Sequence, residues 1–392
     1  MLLSLALILI IGFSLSGLFN RLKIPGLLGM ILTGMLLGPF MLDLIASDIL
    51  DISAELRQIS LIVILTRAGL SIDLEDLRRV GRPAVLMSFV PATLEILAIS
   101  LLAPLLFPIS RIEAVLMGTV VAAVSPAVVV PRMLQLMETG YGKKKRIPHL
   151  IMASASVDDI YVIVLFASLL GMALGEDFSL LSLLNVPYAI VLGLLSGIVT
   201  GLFLVFLYKK IHMRDTIKVF ITLSAAFLLV TLENTLKPHV PLSGLLGVMA
   251  LGATILRFYA NLAMRLLSKF SKVWVGAEIM LFVLLGAAVN IATLGEASLS
   301  AVLLVLGALV FRILGVYASL LRTSLNFKER LFCALAYLPK ATVQAAIGGI
   351  PLSLGIGGGE LILTVAVLSI MISAPLGAIA IDRGYPLLLK KD

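Results

Sequence analysis

The sequence predicts an all-α membrane protein with 13 transmembrane helices, and three observations carry that expectation. Hydrophobic residues make up 60% of the 392 positions and charged residues 13%, about half the roughly 25% charged share of a soluble domain. The apolar residues fall into blocks close to the roughly 20 residues a helix needs to cross a bilayer core. Lys and Arg gather in alternate connections between those blocks, as loops kept on the cytoplasmic side do.

Such a composition excludes a soluble enzyme and a disordered chain. The net charge of +8 does not point to nucleic acid, because the basic residues lie between apolar blocks and not along one helical face. The lone cysteine, Cys333, allows no internal disulfide and no cysteine-based metal site.

The expected spans are 1–19, 26–42, 57–72, 84–107, 113–136, 149–173, 183–207, 217–234, 241–258, 274–293, 297–321, 329–350 and 361–381. The first has no basic residue ahead of it; Arg21 and Lys23 follow the apolar run, so it reads as a retained helix and not as a secretory leader. The third is short and holds Arg67, read as an interfacial residue whose charge reaches the headgroups. Counted with the span ends that border them, connections after odd-numbered spans carry 24 Lys and Arg against three after even-numbered ones, with Arg67, Arg312 and Lys340 deeper inside spans. This split places the N-terminus outside and the C-terminus in the cytoplasm, and one span more or fewer would destroy it. An odd count also permits an inverted repeat: spans 1–6 and 8–13 as two six-helix halves, span 7 joining them, and span n matching span n+7 in the opposite direction.

The polar residues within spans fit this pairing. Glu95 in span 4 and Arg312 in its mate, span 11, lie at similar depth, and Asp158 and Asp159 lie near the midplane of span 6. Spans 5 and 12, also mates, are both interrupted: Val124-Ser125-Pro126 in one and Pro339-Lys340-Ala341-Thr342 in the other. Proline removes a helix hydrogen bond and clashes with the preceding turn. Matching breaks in opposite repeats point to a midplane binding site, where opened backbone offers carbonyls and helix ends to an ion. Each break also reads as a simple kink, and Glu95 with Arg312 also reads as a structural ion pair. Lys340 also reads as a charge that neutralises half-helix C-terminal ends. Glu278 reads as solvated near a span entrance. The adjacent aspartates have little structural use, since they repel and lose hydration on burial. No Walker A, G-x-S-x-G or H-E-x-x-H pattern occurs, and the glycine run Gly355–Gly359 reads as an external turn.

The stretches Ala122–Pro131, Val157-Asp158-Asp159 and Leu338–Ala346 resemble the NHA sodium/proton antiporters of the second monovalent cation:proton antiporter superfamily. The resemblance implies a homodimer in the plasma (inner) membrane. It implies a mobile core holding two crossed, broken helices (84–173 and 297–382), a scaffold (1–72 and 217–293) and a linker helix (183–207). Asp159 would be the main ion ligand, Asp158 its assistant, and Ser125 the broken-helix serine near the ion. Val124, Pro126, Pro339 and Thr342 would shape the breaks, and Glu95, Arg312 and Lys340 would be supporting charges. Electrogenic relatives carry a lysine where this chain carries Arg312. Dimer contact is expected near span 1, where Gly12 and Ser16 stand four apart.

The activity so implied is no enzyme reaction and needs no cofactor: a carrier in the lipid bilayer exchanging Na⁺ or Li⁺ for H⁺ by alternating access. Arginine keeps its proton, which favours one proton per monovalent cation and electroneutral exchange. A K⁺/H⁺ antiporter, a sodium-coupled organic-anion symporter and a non-transporting sensor are the alternatives; adjacent aspartates would repel an organic anion. No nucleic-acid partner is expected.

Overall fold

The computed structural model describes residues 1–71, 81–174, 180–236, 240 and 242–391. The helices are α1 Leu2–Arg21, α2 Leu27–Leu37, α3 Ser47–Asp51, α4 Ser53–Ser71, α5 Arg82–Leu106 and α6 Arg111–Ala122. They continue with α7 Pro126–Thr139, α8 Ile147–Ala173, α9 Leu180–Lys210, α10 Asp215–Leu236, α11 Gly244–Phe258 and α12 Ala260–Ala287. The last are α13 Ile291–Ser319, α14 Phe327–Ala336, α15 Thr342–Ile347, α16 Ile350–Ser353 and α17 Gly359–Leu388.

Each expected span contains a helix. Among the described residues nine passages are long and apolar enough to cross a membrane, α6 and α7 counting as one, and α2 and α11 are shorter apolar helices. The chain is a multi-pass membrane protein. The α4 passage carries Glu55, Arg57 and Arg67, and the α14–α16 passage is broken into short pieces.

Contacts divide the chain into two compact units, one of Met1–Arg57, Leu74–Leu174 and Ile279–Asp392, the other of Gln58–Asp73 and Gly175–Glu278.

In the first unit α5 packs along α13, α6 against α5 and α8, and α17 against α13 and α14. Caps written in the sequence fix two starts. Ser110 and Glu113 form a reciprocal capping box on α6, and Asn326 and Glu329 form one on α14, each satisfying N–H groups the first turn leaves open. The glycine run is a turn, as expected, and the Gly358 N–H donates to Glu113 Oε1 at 2.7 Å.

The α1 expectation needs correction. A Cβ at Gly12 would lie 2.7 Å from Ile279 Cδ1, and Ser16 is buried close to Gly26. The small-residue face is consumed inside the chain, while Leu9, Ile10 and Phe13 face outward.

In the second unit α9 presents Gly193, Gly197 and Gly201 to α11. A Cβ at Gly193 would come within 2.5 Å of the Ser243 carbonyl oxygen, and one at Gly197 would overlap the Gly247 carbonyl. Four-residue glycine spacing lets two backbones meet where lipid supplies no hydrophobic drive.

Span 10 begins well before its expected start at 274. Its helix α12 opens at Ala260, because Leu262, Ala263, Leu266 and Phe270 recur at helical spacing and are buried while the charges between them face away. A hydropathy reading stops at those charges; the helix does not. Glu278 consequently lies deep in α12, half-buried, and close enough to Arg67 for the two charges to attract. It is not the solvated entrance residue expected.

Candidate ion-binding site

The first break separates α6 from α7. Ala123 is extended (φ −67°, ψ 141°), as is Ser125 (φ −95°, ψ 108°). Pro126 causes this locally: it disfavours helix at the residue before it and then opens α7 at the one position where its missing N–H costs nothing. The second break runs from Tyr337 to Ala341 around Pro339, and Thr342 starts α15. The two breaks meet directly, for the Ser125 N–H donates to the Pro339 carbonyl at 2.8 Å. From α8, Asp158 Oδ2 accepts the Val124 N–H at 2.8 Å, which holds the first break open against that helix.

A buried charge cluster surrounds the crossing. Arg312 on α13 donates from Nη1 to Glu95 Oε2 on α5 at 2.7 Å, from Nη2 to Asp158 Oδ2 at 3.2 Å, and from Nε to the Tyr337 carbonyl at 2.6 Å. Its guanidinium carbon stands 5.1 Å from the centre of the Tyr337 ring, a distance that favours a cation–π contact. Lys340 Nζ reaches the same Glu95 Oε2 at 2.5 Å and the Ala122 carbonyl at 3.2 Å; Arg312 Nη1 also donates to that carbonyl. Ser373 Oγ accepts the Lys340 backbone N–H at 3.0 Å.

Glu95, Asp158, Arg312 and Lys340 are all fully enclosed, and Asp159 is 8% exposed. The ion pair expected between Glu95 and Arg312 is therefore present, but it is a triad with Lys340 and extends to Asp158. Both readings of Lys340 hold at once: it pairs with a carboxylate and it neutralises the C-terminal end of α6.

The charges in this cluster do not balance. Glu95, Asp158 and Asp159 are three carboxylates; Arg312 and Lys340 are two cations. With all five ionised, the cluster is one positive charge short. Asp159 makes no hydrogen bond or ion pair among the described residues, and Asp159 Oδ1, Asp158 Oδ1 and Ser125 Oγ are buried acceptors with no donor among them. Buried polar atoms are rarely left so. Glu95 Oε1, Tyr337 Oη and Gln344 Oε1 are also without a partner; of this set, the two aspartate oxygens and the serine hydroxyl are the kind of ligands a small hard cation prefers.

One sequence expectation changes here. The break was expected to offer backbone carbonyls to an ion. Instead the Val121 and Ala123 carbonyls accept from Gln344 Nε2 at 2.9 and 2.7 Å, and Ala122 is taken by Arg312 and Lys340. Gln344 was not singled out beforehand; its signal was its place in the first turn after a break.

Two broken helical passages that meet beside a buried pair of aspartates, in a multi-pass membrane protein, are the architecture of a membrane carrier. The chain belongs to the sodium/hydrogen exchanger family: residues 4–383 match the family described as sodium/hydrogen exchanger, transmembrane. It is 34% identical over 399 residues to human sodium/hydrogen exchanger 9B2, an alignment covering 97% of this chain and 73% of that protein. It is 33% identical over 384 residues to human sodium/hydrogen exchanger 9B1, covering 94% and 73%. Among solved structures, the sodium proton antiporter MjNhaP1 from Methanocaldococcus jannaschii superposes with a TM-score of 0.85 over 98% of this chain and 97% of that one. Its 22% identity makes that a likeness of fold.

Proposed function

We propose that this protein exchanges Na⁺ or Li⁺ for H⁺ by alternating access at Asp158, Asp159 and Ser125, with one cation and one proton competing for Asp159. Family membership supports cation/proton antiport. The observation that carries the finer reading is the charge count, since a cluster one positive charge short is neutralised equally by one proton or one monovalent cation. Binding of one excludes need for the other, and the unneutralised site is the state least suited to cross a low-dielectric barrier, which makes exchange obligatory.

Within this reading the residues divide their work. Asp159 takes the proton or the cation. Asp158, pinned through Oδ2 by Val124 and Arg312, offers Oδ1, and Ser125 adds its hydroxyl. Arg312 retains its proton, so its pairing with Glu95 moves no proton of its own, and exchange is electroneutral. Thirteen spans in two inverted repeats, a core of 84–173 and 297–382 moving against a scaffold of 1–72 and 217–293, and an outside N-terminus complete the reading. Assembly as a homodimer rests on the family resemblance alone, and Gly12 and Ser16 do not contribute to it.

The test is a pH-gradient assay in proteoliposomes with Na⁺, Li⁺ and K⁺ in turn. Proton efflux on adding Na⁺ or Li⁺, lost in Asp159→Asn, is the expected result. Flux with none of the three cations would overturn the proposal, as would undiminished flux in Asp159→Asn.

A further inference from the structure

The oxygens at the crossing of the two breaks are sorted. Backbone carbonyls at the end of α6 have donors: Val121 and Ala123 from Gln344, and Ala122 from Arg312 and Lys340. Side-chain oxygens of Ser125, Asp158 and Asp159 have none, and neither do Glu95 Oε1 and the amide oxygen of Gln344 itself. A helix C-terminus concentrates partial negative charge on its last carbonyls, so this end of α6 would itself attract a cation if left open. From these contacts we infer that Gln344 is a positioning residue that keeps the α6 carbonyls out of the ion's ligand shell and so biases the site toward the smaller monovalent cations. The inference rests on the site proposed above and deepens it.

The geometry leaves little freedom. Gln344 is fully buried in the first turn of α15. Both of its close partners are carbonyl oxygens, which can only accept, so the amide nitrogen and not the oxygen must face them. An amide has two N–H groups, and here each carbonyl receives one. Arg312 is committed to Glu95 and Asp158, and Lys340 to Glu95; Gln344 is neutral, and its donors have no other partner among the described residues. Its amide therefore occupies these carbonyls without altering the charge count on which exchange depends.

The chemical consequence concerns ion size. Rings of backbone carbonyls suit K⁺, which takes more oxygen ligands than Na⁺ or Li⁺. Freeing Val121 and Ala123 adds oxygens to the shell and helps the largest ion most and the smallest least. Ordinary damage to the fold has no reason to sort ions by radius.

The experiment measures KM for Li⁺, Na⁺ and K⁺ in proteoliposomes of the full chain, unaltered and as Gln344→Met, Gln344→Leu and Gln344→His. Met keeps bulk and removes both donors; Leu removes them with a neutral branched side chain; His restores an N–H at similar reach. In Gln344→Met the ratio of KM for K⁺ to KM for Li⁺ is expected to fall by roughly fivefold, the scale of one hydrogen bond's net contribution, with Na⁺ between and the maximal rate less affected. Gln344→Leu shifts the ratio in the same direction, and Gln344→His returns it toward the starting value. Equal changes in KM for all three ions, or no change, in either donor-free variant would overturn the inference while leaving the proposed function standing. An unaltered chain with no cation-dependent flux would instead fail the function itself. If neither donor-free variant folds, the unaltered protein decides: ¹³C carbonyl resonances of Val121 and Ala123 are expected to stay put on adding Li⁺ or Na⁺, and cation-dependent movement of either would contradict the inference.

Discussion

Between α9 and α11, glycines let two backbones touch, and the atoms in contact carry no side-chain charge. Around the break between α6 and α7, by contrast, Glu95, Asp158, Asp159, Arg312 and Lys340 are enclosed, and side-chain oxygens of Ser125, Asp158, Asp159, Glu95 and Gln344 have no donor. In the first region no buried side-chain polar atom is left without a partner among the described residues. The second holds buried groups that its own hydrogen bonds do not complete, at a cost in stability that apolar side chains would avoid. Function in this fold is legible as incomplete satisfaction, and the contrast makes the two regions respond differently to mutation.

The largest effect is expected at the incomplete region. Asp159→Asn keeps size and removes the exchangeable charge, so Na⁺- or Li⁺-driven proton flux falls to background while the protein still purifies as a folded membrane protein. Flux in proteoliposomes and size-exclusion behaviour check the two halves of that statement.

Next is Arg312→Met. It strands Glu95 Oε2 with Lys340 alone and removes a donor from Asp158, breaking a buried ion network, a class of change that costs about 3–5 kcal/mol. Loss of the folded band in a thermal-unfolding assay is the expected outcome; a thermal midpoint equal to that of the unaltered chain would place the stabilising charge elsewhere.

In the satisfied region, Gly197→Leu drives a side chain into the Gly247 carbonyl, an overpacking change of about 1–3 kcal/mol. Its signature is a lowered thermal midpoint with exchange per folded molecule intact. Reduced exchange at full stability would blur the contrast between the regions.

The smallest effect is expected at the ion pair of Arg132 and Asp382, 2.9 Å apart and partly exposed at 23% and 48%. Asp382→Asn is expected to shift stability by less than about 1 kcal/mol, as exposed pairs do, and to leave KM unchanged.

Much of the fold was readable in the chain because a bilayer imposes length and charge rules on every span. The aspartate pair and the two prolines were readable for the same reason: both are costly in a spanning helix and stand out against apolar neighbours. What escaped reading depended on register between distant helices. Nothing in the sequence near Lys340 says that it shares one oxygen of Glu95 with Arg312, or that Gln344 spans two carbonyls more than 200 residues away. Gly12 and Ser16 look the same in sequence whether they face a second subunit or Ile279 of their own chain. Likewise α12 hid its first half because amphipathic turns score poorly on hydropathy, and with that went the position of Glu278.

In the proposed exchange, a single proton or a single cation supplies the one positive charge that the ionised cluster lacks. A potassium–valinomycin potential imposed across proteoliposomes during Na⁺- or Li⁺-driven exchange tests this most directly. One charge exchanged for one charge predicts rates that stay almost unchanged between inside-negative, zero and inside-positive potentials, and no sustained current on a sodium jump at a solid-supported membrane. Rates that follow the potential, with a current outlasting the binding transient, would show that more than one proton moves per cation and would contradict the account.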